Sequence, residues 1–169
     1  MLFHVSEDGG IQHFAPRVSD RGEAVVWAVD EAHLRNYLLP RDCPRVTFYA
    51  GPATNPSDID SFLGSSPAVV AVEAGWFDRL RTSRLYCYHL PPATFERVDE
   101  CAGYFVSRVA VGPARVDVVD DAIAALLERG VEVRVLPDLW ALHDAVIAST
   151  LQFSMIRMRN ARPRQAVRA

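Results

Sequence analysis

Short apolar runs of strand length, each cut off within a few residues by glycine, proline or a polar turn, fill the first two thirds of this chain and limit what it can fold into. The clearest is Ala24–Val29 (AVVWAV), nearly all apolar, as expected of a strand covered on both faces. Leu2–Ser6 reads as the first strand, ended by Glu7-Asp8-Gly9-Gly10, because paired glycines break regular structure. Val46–Tyr49, Val69–Val72 and Leu85–Leu90 add three more, the last stopped by Pro91-Pro92. Tyr104–Val111 and Arg115–Val119 supply one or two strands around Gly112-Pro113.

Helical signals are brief at first and stronger later. Asp30 is placed to cap a helix from Glu31 to about Leu38, which must stop before Pro40. Ser57 or Asp58 opens a short helix through Leu63, and Gly75–Arg81 forms another. From Asp120, Ile123, Leu126 and Leu127 share one face, and Gly130 sits where a left-handed cap is wanted. Val131–Val135 is a short strand, and Asp138 caps a helix bearing Leu139, Leu142, Val146 and Ile147 at helical spacing. Gln152–Met158 fits a helix extension or a strand equally. Strands early and helices late favour the α+β class. The expected layout is a single domain over 1–160, followed by a basic tail over 161–169.

Neither a Gly-x-Gly-x-x-Gly between strand and helix nor a Gly-x-x-x-x-Gly-Lys-Ser/Thr occurs, so Rossmann and P-loop readings lose their main support. With 50% hydrophobic and 23% charged residues the chain has globular composition, not that of a disordered one. All 18 basic side chains are arginine, which fits either drift in codon usage or the suitability of guanidinium forks for phosphate. Five arginines and no acid lie from Arg157 on, leaving 13 arginines against 21 acids before it, a balance of −8. An acidic body with a basic end argues against a general nucleic-acid binder, so no DNA partner is expected. Cys43, Cys87 and Cys101 form no paired spacing, so reduced thiols are expected. No basic region followed by an apolar run opens the chain, and its apolar stretches are too short for a bilayer. A cytoplasmic protein with no membrane partner is the expectation; the sequence leaves its oligomeric state open.

The candidate site residues begin in the first strand. Alternation puts His4 and Ser6 on one face and Phe3 and Val5 on the other. His4 is then either a core histidine bonded to a carbonyl or, with Ser6, part of a cleft that bonds a ligand's hydroxyl or amide. In Pro40-Arg41-Asp42-Cys43-Pro44-Arg45, two stiffening prolines flank arginines suited to forked contacts with phosphate or carboxylate. Asp42 could instead pair with either arginine in a structural turn, and Arg17, after Pro16, has a similarly rigid setting. Asp99-Glu100 is the acidic pair bounded by strands, placed to accept from a ribose hydroxyl or to steady positive charge. His4, His13, His33, His89 and His143 are scattered singly, so no metal site is expected.

Several of these segments resemble the ADP-ribosyltransferase-like fold. Leu2-Phe3-His4-Val5-Ser6 with its glycine loop resembles that fold's first-strand signature, and Val26-Trp27-Ala28-Val29-Asp30 its second block. Leu85-Tyr86-Cys87-Tyr88-His89-Leu90-Pro91 with Phe95, then Val106-Ser107 and Val111-Gly112-Pro113, resemble its later strands. Over nearly its whole length the chain also resembles a small bacterial family of uncharacterised function marked by His-Val-Ser-Glu and Pro-Arg-Asp-Cys-Pro-Arg. The transferase resemblance, over about residues 2–115, implies a split sheet and a site for NAD, ADP-ribose or ADP. Carried over, His4 and Trp27 or Tyr37 would hold the nucleotide, and Asp99 or Glu100 would steady the ribose cation as nicotinamide departs. Arg17, Arg41 and Arg45 would meet the pyrophosphate. The reaction implied is transfer of ADP-ribose to an unidentified acceptor; the alternatives are RNA phosphotransfer, a non-catalytic nucleotide sensor and an interaction module.

Overall fold

Every apolar run singled out above contains a strand in the computed structural model, which describes residues 1–18 and 22–164. In chain order the elements are β1 (Leu2–Ser6), β2 (Arg17–Val18), β3 (Ala24–Val29), β4 (Arg45–Tyr49), α1 (Pro56–Asp58), β5 (Ala68–Glu73), α2 (Phe77–Thr82) and β6 (Leu85–Leu90). They continue with β7 (Phe95–Asp99), β8 (Tyr104–Ser107), β9 (Arg115–Val119), α3 (Ala122–Leu127), β10 (Val131–Leu136), α4 (Trp140–Ile147) and β11 (Gln152–Ile156). Segregated strands and a few helices make the protein α+β. Its contacts divide into two compact units, Met1–Arg41 with Ser83–Ala122, and Asp42–Thr82 with the described residues from Ile123 on.

The first unit carries an antiparallel sheet in the order β7-β8-β3-β1-β6-β9, with β2 added along β3. Directly opposed residues of an antiparallel pair share a face, so the register assigns every side chain to a side. Leu2 opposes Leu90 and His4 opposes Tyr88, while Phe3 opposes His89 on one neighbour and Val29 on the other. The face of Leu2 and His4 is packed by Val26, Ala28, Tyr88 and Leu90, with Phe14 and Val111 added from loops. Those two loop residues are held by reciprocal backbone bonds, Phe14 N–H to Val111 O at 2.8 Å and Val111 N–H to Phe14 O at 3.0 Å.

The second unit carries a mixed sheet in the order β10-β5-β4-β11, with β10 and β5 parallel and the other pairs antiparallel. Val46, Phe48, Val69 and Ala71 form one face and pack on Leu63, Leu139, Val146 and Leu151. A parallel pair needs a long crossover, and here the first unit's β6 to β9 lie between β5 and β10 in sequence. The last third therefore contributes strands β10 and β11 as well as helices.

Several local expectations change in detail. The helix expected over Glu31–Leu38 is a set of turns around a 3-10 turn at Leu34–Asn36. Asp30 does cap it, accepting from His33 N–H at 3.0 Å and His33 Nδ1 at 2.7 Å. That side-chain bonding competes with helix propagation, and Pro40 blocks the far end. β7 was not foreseen: Glu96 and Arg97 are exposed, so no apolar run marks it, and pairing with β8 recruits it. The strand expected over Tyr104–Val111 ends at Ser107, whose buried hydroxyl donates to Val109 O at 3.0 Å and bends the chain. Gln152–Met158 proves to be strand as far as Ile156. Gly130 has the expected left-handed conformation, φ +71°, and Asp138 accepts from Trp140 N–H at 3.1 Å. Among the described residues no helix is long and apolar enough to cross a membrane.

Of the basic tail expected over 161–169, residues 165–169 lie outside the described residues. Residues 162–164 are exposed but held by specific contacts. The backbone N–H of Arg162 is capped by the Glu73 carboxylate, and the Arg164 guanidinium is forked on Asp144.

Candidate functional site

β1 places His4 between Trp27 of β3 and the loop that carries Phe14. His4 Nδ1 lies 3.0 Å from the Trp27 carbonyl oxygen, and the Phe14 ring covers the imidazole at 4.8 Å between centroids. A carbonyl only accepts, so Nδ1 carries the proton and Nε2 keeps its lone pair. Burial pushes the His4 pKa below its ordinary value against the raising effect of the Trp27 bond, and the positive charges of Arg41 and Arg17 lower it further. The imidazole is therefore neutral at neutral pH, with an acceptor nitrogen in a field of positive charge.

The loop beyond β1 is fixed by side chains of its own unit. Asp8 N–H donates to Ser6 Oγ at 3.0 Å, and Gly10 N–H to Asp8 Oδ1 at 2.8 Å. The Tyr88 hydroxyl donates to Asp8 O at 2.6 Å and accepts from Ile11 N–H at 3.2 Å. Gly9 passes so close to the Tyr86 ring that a Cβ there would overlap Tyr86 Cε1 and Cζ. His4, Ser6 and the loop polar groups thus lie together at one end of the inner strand β1, held by bonds already made. Phe14 and Tyr88 carry no local signal of this role, because only the loop's return onto the sheet creates it.

The other sequence candidates divide. The charges of Arg41 and Arg17 reach His4, but β2 sets Arg17 opposite Val25, which alternation places on the face of Trp27 and Val29, away from the imidazole. Trp27 and Tyr37 do not share its face. Val29 opposes both Phe3 and Tyr104, so Trp27, two residues before Val29, lies with Tyr104 on the side away from His4. Their rings meet edge-on at 5.6 Å, and Tyr37 Oη lies 2.6 Å from Tyr104 Oη on that same side. Period-two alternation, which groups His4 with Ser6, also separates Trp27 from His4 once the register is known.

Asp99 and Glu100 are likewise removed from His4. β8 and β3 separate β7 from β1, and at the usual strand spacing that is about 14 Å. Asp99 opposes Tyr104 and accepts from Ala102 N–H at 2.9 Å, stabilising the turn into β8. Glu100 is exposed and meets Arg97 at 3.3 Å. Neither acid is held toward the imidazole.

Arg45 belongs to the second unit, where β4 buries it to 2% exposure and its Nη1 donates to Cys43 O at 2.9 Å. The guanidinium is thus held inside the second unit by its own strand and the turn before it, and the register gives it no place on the His4 face. Arg157 Nε lies 3.9 Å from the Asp42 carboxylate, and Asn160 Nδ2 donates to the Asp42 carbonyl at 2.7 Å. Burial pushes the Cys43 thiol up to about 12.

A further polar cluster went unforeseen because its members are far apart in sequence. His89 Nε2 lies 2.7 Å from Asp117 Oδ2, and Arg115 Nη2 donates to the same oxygen at 2.7 Å. Burial would raise the Asp117 pKa, but the bonds from His89 and Arg115 hold it below the ordinary carboxylate value. Since the carboxylate must accept, Nε2 carries a proton, and the 3.2 Å approach of Arg115 Nη2 to that nitrogen is proximity only. The cluster ties edge strand β9 to β6.

No curated protein and no solved structure is similar enough to this chain to register as a match. With a family model matching residues 3–161, nearly its whole length, the chain belongs to DUF6886, a family of unknown function.

Proposed function

We propose that the protein binds an anionic, nucleotide-type ligand, NAD or an ADP-containing relative such as ADP-ribose, on the face of β1 that carries His4 and Ser6. The observation that carries this reading is the neutral His4 imidazole, whose second ring nitrogen remains an acceptor and which feels the positive charge of Arg41 and Arg17. Guanidinium groups attract phosphate and can fork onto it, while a neutral imidazole acceptor suits a ribose hydroxyl and would repel a bare phosphate oxygen. Ser6 adds a hydroxyl on the same face. This assignment keeps His4, Ser6 and Arg41 as ligand contacts, takes Arg17 as a source of attracting charge, and keeps the likeness to the ADP-ribosyltransferase-like fold as an analogy for the ligand class.

Binding without ADP-ribose transfer is the better-supported form of the reading. The two acids that would steady a ribose cation, Asp99 and Glu100, sit about 14 Å from β1 at the usual strand spacing. NAD is then ligand and not consumed substrate, and the protein is a nucleotide sensor. An ADP-ribose transferase remains the alternative, and it would need a carboxylate other than these two.

The test is a thermal-shift series with NAD, ADP-ribose, ADP and inorganic pyrophosphate. A ligand at 100 times its Kd adds about 2.7 kcal/mol to native stability. The nucleotides should raise Tm in the wild type, and the Arg17→Ala/Arg41→Ala variant should lose most of the shift. Equal stabilisation of both proteins, or none of the wild type, sinks the proposal. Release of free nicotinamide from NAD would move the reading from sensor to enzyme.

A further inference from the structure

The described C-terminal segment is bound like a peptide ligand. Glu73, 2% exposed at the end of β5, accepts the Arg162 N–H on both carboxylate oxygens at 3.1 Å. Trp140 Nε1 donates to the Arg162 carbonyl at 2.6 Å, so both main-chain polar groups of this residue are read by side chains. Arg164 then forks onto Asp144, with Nη1 to Oδ2 at 2.8 Å and Nη2 to Oδ1 at 2.6 Å. Its guanidinium also lies over the Trp140 ring, 4.5 Å from the centroid. His143 Nδ1 lies 2.9 Å from the same Asp144 Oδ1. Pro163 suits an extended strap, since it fixes φ and lacks an N–H that would need a partner.

The lead-in to this strap is strained. Arg157, with φ 57° and ψ 27°, is the one non-glycine residue with positive φ among those described, and it starts the 3-10 turn Met158–Asn160. A left-handed conformation is disfavoured for arginine because its Cβ crowds the following carbonyl, a cost removed if the segment runs straight on. Ordered contacts beyond a short, strained hinge are the arrangement that favours exchange of a segment between identical chains.

We propose that the Glu73–Trp140–Asp144 surface is a docking site for residues 162–164 of a second copy of this chain, exchanged about a hinge at Arg157. In the exchanged pair each copy's Arg164 lies on the other's Asp144 and Trp140, and each Glu73 caps the other's Arg162. No new contact is needed, only the transfer of those already made. The inference concerns residues of the second unit and does not depend on the nucleotide reading.

Charge exchange tests it in the full chain. Asp144→Arg alone faces Arg164 with a like charge, and Arg164→Asp alone faces Asp144 with one. Mixed in equal amounts, the two variants can satisfy both surfaces, but only by exchanging segments. Each variant alone should sediment as a monomer, and the mixture should double in mass. The double variant Asp144→Arg/Arg164→Asp restores the pairing within one chain and should not associate with either. Circular dichroism of each variant establishes that it folds, and the milder pair Asp144→Lys and Arg164→Glu repeats the design if one does not. The proposal is overturned if the mixture stays monomeric, if either variant associates with itself equally well, or if association survives Arg162→Pro, which removes the N–H that Glu73 holds.

Discussion

The Tyr88 hydroxyl, at the end of a fully buried ring, donates to the carbonyl oxygen of Asp8, 80 residues away in sequence, at 2.6 Å. Through this bond and the one it accepts from Ile11 N–H, a core residue of β6 sets the loop beside His4. Tyr88→Phe keeps the ring and removes the hydroxyl, leaving two backbone groups without their partner. Both bonds are only partly buried, and a typical hydrogen bond contributes about 0.5–1.5 kcal/mol, so urea denaturation should show a loss of about 1 kcal/mol. Nucleotide affinity should fall along with it, because the loop and the imidazole share one face.

Neutral His4 makes stability depend on pH. Its folded pKa is depressed, first by burial and then by Arg41 and Arg17, so the unfolded chain binds more protons at mildly acidic pH. The contribution is full above the ordinary imidazole pKa, about 6.5, and is lost as pH falls through the depressed folded value. Denaturation midpoints should therefore decline below about pH 6.5, and His4→Gln should flatten the decline. An NMR titration placing the folded His4 pKa at or above the ordinary value would contradict the environment described.

Gly103 and Gly64 both hold positive φ, +64° and +57°, yet alanine should be far worse at Gly103. At Gly64 an added Cβ meets nothing within 4 Å, leaving the backbone strain of about 1–2 kcal/mol. At Gly103 the Cβ would overlap His33 Nδ1 and approach Asp30 Oδ1, the pair that caps the turn after β3. Melting temperatures of the two variants should differ in that order.

The three cysteines should react unequally. Cys101 is exposed, whereas Cys43 and Cys87 are buried, and the Cys43 thiol is held protonated by a pKa of about 12. Mass spectrometry after brief alkylation of the native protein should find one adduct, at Cys101, with the other two appearing only in denaturant.

Thr47, on β4, has its hydroxyl oxygen buried without a hydrogen-bond partner among the described residues. Its neighbours across the strands include Val70, and the residue is 0% exposed. Thr47→Val is nearly isosteric and removes a desolvated polar atom. It should raise stability by about 1 kcal/mol, the lower end of the cost of such a group; a clear loss in a denaturation curve would show the hydroxyl to be paired.

What the sequence determined by itself is the set of local choices. The apolar runs at Leu2–Ser6, Ala24–Val29 and Leu85–Leu90 are strands, and Asp30, Asp138 and Gly130 cap the turns or helices beside them. Each of these rests on an interaction within a few residues, or on apolar side chains that must be covered somewhere. Alternation likewise placed His4 with Ser6. Tertiary structure decided which strands are neighbours, and so which faces coincide. The pairing of Val29 with Phe3 and Tyr104 sends Trp27 and Tyr37 away from His4, and the course of β4 takes Arg45 into the second unit's interior. The same holds for the contacts of Tyr88 with Asp8 and of Arg164 with Asp144. Strand pairing and capping at long range depend on how the chain closes, and nothing in a residue's own neighbourhood encodes the partner it will meet.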